Sequence, residues 1–361
     1  VFPQQTLFQQ GKEVTYRIPA LLYVPSATTF LAFAEKRSSA RDEDAKYLVL
    51  RRGHWQGSSV QWEPMEDLSA LVLPGHRTMN PCPLYDATSS TIFLFCICVE
   101  RGRSERCQLW SGCSAARLCF STSLDGGHCW SPLRDVTQEA IGTDLSHWAT
   151  FGVGPGHGVQ LSSGRLVVPA YTYYIHSRLL GVVPLPCSTR QHSLVFFSDD
   201  CGRSWHKGDL VGGEPMGECQ VAEVGAVLYC NARSPRGCRA MAISSDCGMR
   251  FQTATHCPLL EEPPRGCQGS VVAFDAPSRT QEAPTWLLFS HPTDQHHRRD
   301  LGIYLNPSPL NKEGWRHPWV LQAGPAGYSD LAVCPGGVFG CLYEHGTTSA
   351  CEEITFCIFS L

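Results

Sequence analysis

The sequence of 361 residues has few lysines and no long hydrophobic run. Only 5 of its 29 basic residues are lysine and 24 are arginine, and 33 acidic residues give a formal net charge of −4. This balance gives no reason to expect a nucleic-acid partner. The longest apolar run, residues 92–99, is far too short to cross a bilayer. The arginine excess favours an anionic ligand such as a carboxylate, although a compositional bias alone also explains it.

The 19 cysteines are scattered, and none of them forms a C-x-x-C pair or another zinc-ligand spacing. Cys96 and Cys98 stand two residues apart within the longest apolar run. No signal peptide is visible. We therefore expect reduced thiols, in the cytosol or on the cytosolic face of a membrane, rather than a secreted disulfide framework. We expect neither a metal site nor a cofactor.

Short apolar or alternating runs recur along the chain and are bounded by residues that favour turns. Ten of them predict strands: residues 20–24, 30–34, 47–50, 92–99, 166–170, 194–197, 227–230, 286–289, 338–343 and 354–359. No long stretch has a helical period, although residues 135–148 could form a short helix. Because low-complexity segments and linkers are absent, we expect one all-β domain spanning residues 1–361.

A short motif with the pattern S-x-D-x-G-x-x-(W/F) occurs three times, each time after a predicted strand. The copies are residues 123–130, 198–205 and 244–251. In such a turn the Asp accepts hydrogen bonds from nearby backbone N–H groups, the Gly takes a positive φ and the aromatic residue fills the core. A single copy would be an ordinary hairpin. Three copies with the same offsets indicate a repeat of strand hairpins, which is typical of a β-propeller.

These motifs resemble the Asp box of the sialidases, with Cys129, Ser204 and Arg250 where that family has Thr. The Y-R-I-P segment at residues 16–19 resembles a second sialidase motif. Further similar segments are residues 75–83, 147–158, 218–224, 266–272 and 327–332. The resemblance covers essentially the whole chain and implies a six-bladed β-propeller that removes terminal sialic acid. Among vertebrate sialidases, the chain resembles the plasma-membrane-associated type that acts on gangliosides.

The resemblance assigns the substrate carboxylate to three arginines. They are Arg17, Arg233 and Arg298, and Arg299 is a neighbouring alternative to the last. A guanidinium pairs with a planar carboxylate through two hydrogen bonds. Glu344 resembles the glutamate that orients the first arginine, and Ile18 and Arg37 resemble residues that flank the same carboxylate.

The resemblance also implies the catalytic residues. Sialidases use a Tyr nucleophile, unlike most glycosidases. Tyr328 resembles this nucleophile, Glu218 its general base and Asp42 the acid/base that protonates the leaving oxygen. From the residues alone, Asp42, Glu43 and Asp44 cannot be told apart. Because an aspartic acid must be protonated to donate, we expect an acidic pH optimum.

Other residues are expected to line the sugar site with an apolar wall and a few polar groups. By resemblance they are Met79, Asn80, Glu105, Tyr171, Tyr173 and Gln268. Tyr171 and Tyr173 stand two apart, so on a strand they would face the same way.

Residues 179–187 contain five large apolar residues together with a Gly and two Pro, which favours a loop. The loop either packs against a blade or contacts a membrane beside the site, where Arg178 and Arg190 would meet anionic head groups. Cys187 could carry an acyl chain, although a free thiol is the simpler expectation. The membrane reading predicts a peripheral protein at the plasma membrane or endosomes, while a cytosolic location stays open.

Two other functions fit parts of the sequence. A sialic-acid-binding propeller without activity would keep the three arginines but could lose Tyr328, Glu218 or Asp42. A general interaction propeller would have no reason to bring the arginines together. The expected partners are sialylated glycolipids, with sialoglycoproteins or oligosaccharides as further substrates.

Overall fold

The computed structural model describes residues 3–185, 188–277 and 284–361. Regular structure in these ranges is almost entirely β-strand, and the named strand pairs are antiparallel. All ten apolar runs predicted to be strands lie within strands, so the all-β prediction is confirmed.

The first half of the chain forms three sheets and a hairpin, and the strands follow in chain order. After β1 (Gln5–Gln9), the first sheet contains β2 (Thr15–Val24), β3 (Thr29–Arg37), β4 (Ala45–Gln56), β5 (Ser59–Trp62) and β6 (Glu66–Asp67). The second sheet contains β7 (His76–Asp86), β8 (Thr91–Glu100), β9 (Ala116–Ser123) and β10 (Arg134–Asp135). The third contains β11 (Trp148–Val153), β12 (Val159–Gln160), β13 (Leu166–Ile175), β16 (Thr189–Ser198) and β17 (His206–Lys207). Between β13 and β16 the chain forms a separate hairpin of β14 (Arg178–Leu179) and β15 (Val183–Pro184).

The second half of the chain forms two sheets, and the first strand β1 closes the last one. The fourth sheet contains β18 (Cys219–Val224), β19 (Val227–Ala232), β20 (Cys238–Ser244) and β21 (Thr255–Glu261). The last contains β22 (Ser270–Asp275), β23 (Thr285–Pro292), β24 (Arg299–Asn306), β25 (Trp319–Cys334), β26 (Val338–His345) and β27 (Glu353–Ser360). β25 pairs with β24 through its first half and with β26 through its second half.

Helices are few and short. The α-helices are α1 (Glu105–Ser111) and α2 (Thr137–Ala140), and the 3-10 helices are Pro25–Ala27, Asp42–Asp44, Gly142–His147, Lys312–Gly314 and Pro335–Gly337. The segment predicted as a possible short helix, residues 135–148, thus forms two separate helical turns. The sequence analysis did not predict α1, in which Ser104 caps the first turn and Gly112 ends the helix with φ +68°.

Inner strands of successive sheets pack against one another around a common centre. β2 contacts β7 and β25, β7 contacts β11, β13 contacts β18, and β22 contacts both β18 and β25. These contacts close into a ring, which is a propeller-like arrangement. The hydrophobic core lies between neighbouring sheets, where aromatic side chains interlock.

The three Asp-box turns have the predicted hydrogen bonds. In the second copy, the carboxylate of Asp200 accepts from the Ser198 and Ser204 hydroxyls and from the Ser204 N–H. Gly202 takes φ +83°, and the fully buried Trp205 packs edge-on against Phe95 at 4.6 Å between ring centroids. Each turn therefore ties one sheet to the next through its aromatic residue or Gly backbone.

Candidate active site

A cavity of about 270 Å³ opens among the inner strands. Every predicted site residue lines it except Gln268 and Glu344. Its volume lies just below the usual range for ligand pockets, about 300–1,000 Å³, which suits a single sugar ring better than an oligosaccharide. Residues from five sheets line the cavity, so their side chains lie close together only because the sheets form a ring.

Arg17 is held at the cavity wall by a fully buried carboxylate. Its Nε and Nη2 donate to the two oxygens of Glu344 at 2.9 and 3.1 Å. The same carboxylate accepts the N–H groups of Ile18 at 3.0 Å and Tyr328 at 2.9 Å. Burial raises the pKa of Glu344, but the attraction of Arg17 and these hydrogen bonds outweigh it, so the pKa lies below its usual range. Ile18 takes φ +66° at a bulge between β2 and β3 that turns Arg17 toward the cavity.

Tyr328 and Glu218 form a hydrogen-bonded pair at the cavity floor. The Tyr328 hydroxyl lies 2.8 and 2.9 Å from the two Glu218 oxygens. Arg233 Nη1 donates to Glu218 at 2.7 Å and to the Tyr328 oxygen at 3.2 Å. Burial, followed by the charge of Glu218, raises the pKa of Tyr328 well above its usual range, against the opposing effect of nearby arginines. The phenol is therefore neutral and already placed to pass its proton to Glu218.

Arg298, and not Arg299, faces the cavity. Its guanidinium lies 5.5 Å from the centroid of the Tyr328 ring, and Arg17 lies 5.0 Å from the same centroid. Arg298 Nη2 donates to the Gly266 carbonyl at 3.1 Å, whereas Arg299 is exposed at the start of β24. Arg17, Arg233 and Arg298 therefore converge on one tyrosine.

Arg37 and Asp42 lie at the opposite wall. Arg37 donates to Glu35 Oε1 at 2.6 Å and to Asp42 Oδ1 at 2.7 Å. Glu35 is fully buried, while the Asp42 side chain lines the cavity and is 53% exposed. Of the three acidic residues in this 3-10 turn, only Asp42 lines the cavity. Glu43 lies beside Arg41, and Asp44 accepts from Ser39.

The remaining wall combines apolar and polar side chains. Asn80 takes φ +56° beside a bulge in β7, and its amide donates to the Tyr171 hydroxyl at 3.3 Å. Tyr171 and Tyr173 both line the cavity, as their spacing predicted. The Tyr173 hydroxyl donates to Glu105 at 3.0 Å, which holds the first turn of α1 against the cavity. Met79 lies on the same wall.

Two predicted site residues, Gln268 and Glu344, lie just outside the cavity lining. Gln268 is fully buried, and its amide bonds to Pro155 O, Ser329 O and Ser329 N. Its amide therefore supports the backbone next to Tyr328. Glu344 lies behind Arg17 and pairs with it, which is the position that an orienting carboxylate requires.

The sequence analysis did not predict several other residues of the cavity. Arg77, Gln108, Thr150, Phe151, Ile97, Val99 and Gln191 line it as well. Gln191 could have been found from strand register, because it pairs with Tyr173 across β13 and β16. Gln108 follows Glu105 by one helical turn, but that signal requires α1 to be known.

Among the residues that the structure describes, no group of three or more His, Cys, Asp and Glu side chains is placed to hold a metal ion. The described cysteines are free thiols. No helix within the described ranges is long and apolar enough to cross a membrane.

Comparison with known proteins places the chain in a family. Residues 28–341 match the BNR repeat-like domain family. Human Sialidase-3 is 52% identical over 98% of this chain and 91% of its own length. The chain belongs to the sialidase family. Mouse Sialidase-2 is 45% identical over the whole chain and 96% of its own length. The chain is thus an exo-α-sialidase, a glycoside hydrolase.

Solved structures share the fold of this sialidase. The Hadza microbial sialidase Hz136 is 25% identical with a TM-score of 0.78, and the match covers 96% of this chain and 66% of that one. The Trypanosoma rangeli sialidase is 16% identical with a TM-score of 0.71, over 99% of this chain and 59% of that one.

Proposed function

We propose that the enzyme hydrolyses terminal α-linked sialic acid with retention, using Tyr328 as nucleophile, Glu218 as its base and Asp42 as acid/base. The observation that carries this proposal is the bond of the Tyr328 hydroxyl to Glu218 at 2.8 Å among three arginines. A neutral phenol suits this site, because a carboxylate nucleophile would repel the carboxylate of the substrate.

The three arginines bind the substrate carboxylate in this proposal. Arg17 and Arg298 lie over the tyrosine ring, and Arg233 lies beside its hydroxyl. A carboxylate bound between them brings the anomeric carbon, to which it is attached, close to the phenol oxygen. Charge-assisted hydrogen bonds of this kind are about twice as strong as neutral ones.

The reaction then proceeds in two displacements. The Tyr328 oxygen bonds to the anomeric carbon while its proton passes to Glu218. The glycosidic C–O bond breaks, and Asp42 gives its proton to the leaving oxygen. Water next attacks the anomeric carbon and loses a proton to Asp42, and the phenol leaves with the proton held by Glu218. The 53% exposure of the Asp42 side chain supports this role, since leaving group and water must both reach it.

For the architecture, we propose a single domain of six blades over residues 1–361. The ring passes through β2, β7, β11 with its neighbour β13, then β18, β22 and β25. The last sheet then counts as two blades, since the two halves of β25 pair with different neighbours.

For the substrate, we propose gangliosides at a membrane surface, with sialoglycoproteins and oligosaccharides as further substrates. The hairpin β14–β15 supports membrane contact, because Leu179, Leu180, Val182 and Val183 are 57%, 91%, 68% and 48% exposed. Trp110, at the end of α1, is 78% exposed, and Arg178 ties the hairpin to α1 through Gly112 O at 3.1 Å. The first turn of α1 reaches the cavity, so this apolar surface lies beside the mouth of the site. Of the stretch predicted to contact lipid, Pro186 and Cys187 lie outside the described residues.

A membrane-contacting hairpin accounts for this exposure better than a lid packed on a blade, since exposed apolar side chains cost free energy in water. We accordingly propose a peripheral location at the plasma membrane or endosomal membranes, with a cytosolic pool as the alternative.

The substitution Tyr328→Phe tests the proposed chemistry. We expect it to abolish release of sialic acid from a fluorogenic sialoside while a sialic-acid analogue still binds, because only the nucleophilic oxygen is removed. Glu218→Gln should behave similarly, and the double variant should be little worse, since the pair acts as a unit. Turnover of Tyr328→Phe near that of the unmodified enzyme would refute the assignment.

A further inference from the structure

Two of the three arginines proposed to bind the substrate carboxylate are held by carbonyl groups of a single turn. Arg233 Nε donates to Arg265 O at 3.0 Å, and Arg298 Nη2 donates to Gly266 O at 3.1 Å. The two carbonyls are consecutive, so the shape of this turn sets where both guanidinium groups lie.

The turn has a backbone conformation that needs support. Arg265 and Gly266 take φ +66° and +71°, and the left-handed region is unfavourable for a residue such as arginine. A Cβ on Gly266 would lie 2.6 Å from Glu262 Oε2 and 2.8 Å from Arg233 Cγ. The turn is therefore packed directly against the Glu262 carboxylate.

The Glu262 carboxylate accepts one backbone N–H beside Arg233 and another beside the turn. Its Oε2 accepts the Ser234 N–H at 2.8 Å, next to Arg233, and its Oε1 accepts the Cys267 N–H at 3.3 Å. The Glu262 side chain is fully buried and does not line the cavity, so it cannot touch substrate.

Two buried side chains, Arg239 and His291, contact the Glu262 carboxylate. Arg239 Nη1 lies 3.2 Å from Glu262 Oε1 and donates to Cys267 O at 2.6 Å, and His291 Nε2 lies 2.7 Å from the same Glu262 oxygen. Burial raises the pKa of Glu262, but the charge of Arg239 and the contact with His291 outweigh it and lower the pKa to about 2. The carboxylate is thus ionised at the working pH.

We propose that Glu262 is a positioning residue for Arg233 and Arg298, and that it determines how tightly the enzyme binds the carboxylate of its substrate. The proposal rests on the proposed role of these arginines. It predicts that loss of the Glu262 charge weakens substrate binding through them, while Arg17, which Glu344 holds independently, keeps its contribution.

The test is a set of double-mutant cycles on the full chain, measured as KM and kcat for a soluble sialoside. We expect Glu262→Gln to raise KM about tenfold and to change kcat much less, because uniform binding is lost. In an Arg298→Lys background the same change should raise KM by less than about threefold, whereas in an Arg17→Lys background it should keep its full effect. Glu261→Gln is the matched control, since it removes the same charge from the neighbouring, partly exposed residue, and its KM should be unchanged.

Glu262→Asp serves where Glu262→Gln does not fold, because it keeps the charge beside Arg239 but shortens the reach to Ser234 and Cys267. Equal effects of the Glu262 variants in both arginine backgrounds, or a lower melting temperature with unchanged KM, would overturn the proposal. A silent Arg298→Lys would instead contradict the proposed role of the arginine itself.

Discussion

The three arginines proposed to bind the substrate carboxylate differ in how they are held. Arg17 has the buried Glu344 as partner, and Arg233 has Glu218. Within the described residues, Arg298 donates only to a backbone carbonyl. Arg298 therefore keeps most of its N–H groups for a ligand, and it should depend most on the fork geometry of a guanidinium.

We predict that Arg298→Lys raises KM for a soluble sialoside by about 10- to 100-fold, because one bidentate charged contact is worth roughly 1.5–3 kcal/mol. Arg299→Lys is the control, since Arg299 is exposed outside the cavity. The comparison needs only steady-state kinetics. If Arg299→Lys is damaging and Arg298→Lys is silent, our assignment of the third arginine is wrong.

We predict that Glu344→Gln destabilises the fold by about 3 kcal/mol at neutral pH, because it leaves the buried Arg17 without its charged partner. The pKa of Glu344 is lowered in the folded protein. The contribution of the Glu344 charge to the free energy of unfolding is therefore fully present above the pKa of the unfolded chain, about 4.3. It is lost as the pH falls through the pKa of Glu344 in the folded protein. Urea unfolding at pH 7 and near pH 4 measures the free energy of unfolding of both proteins. The difference between the variant and the unmodified enzyme should be smaller near pH 4. A difference that grows in acid contradicts the ion pair.

Residue types and motifs were enough to predict most of the cavity but not the orientation of every side chain. Tyr328, Glu218 and the arginines follow from segments that resemble sialidases. Gln268 does not contact the cavity because its amide satisfies the backbone at Pro155 and Ser329, a contact between distant parts of the chain. No pattern within the segment around Gln268 carries that information.

Strands were easier to predict than helices in this chain. The ten apolar runs coincide with strands because each is buried between two sheets. Helix α1 has only seven residues, too few for a helical period, although its Ser104 cap and the terminal Gly112 are recognisable signals. The stretch around the hairpin β14–β15 was expected as a loop, and it contains only two-residue strands, joined by a turn in which Gly181 takes φ +71°.

At the hairpin we predict that Leu179→Ser, Leu180→Ser and Val183→Ser together reduce vesicle binding and ganglioside turnover but leave activity on a soluble sialoside intact. All three side chains are exposed, so their loss should not open a cavity in the core. Co-sedimentation with anionic vesicles and paired activity assays measure the two effects.

The matched control is Leu259→Ser, Leu310→Ser and Val320→Ser, which replaces three apolar residues of 46%, 51% and 45% exposure elsewhere on the surface. It should not change vesicle binding. Loss of both activities in the hairpin variant would mean that the hairpin supports the fold, and the membrane proposal would fail.

For the whole molecule, closure of the ring determines the site. Tyr328 lies on β25, Glu218 immediately before β18, and Asp42 between β3 and β4, so the catalytic groups are distant in sequence and meet only at the centre. Three Asp boxes predict repeated hairpins, but they do not show that β25 pairs with both β24 and β26 or that β1 pairs with β27. β1 and β27 lie at opposite ends of the described chain, and local sequence patterns do not specify that they pair.

The central claim is that Tyr328 bonds covalently to the sugar. The most direct test is mass spectrometry of the enzyme after reaction with a sialosyl fluoride that carries a second fluorine at C3, which destabilises the oxocarbenium-like transition state and slows release of the intermediate. We predict one added sialosyl group, on the peptide containing Tyr328, and no adduct with Tyr328→Phe. An adduct on Glu218 or Asp42, or an equal adduct in Tyr328→Phe, would contradict this account.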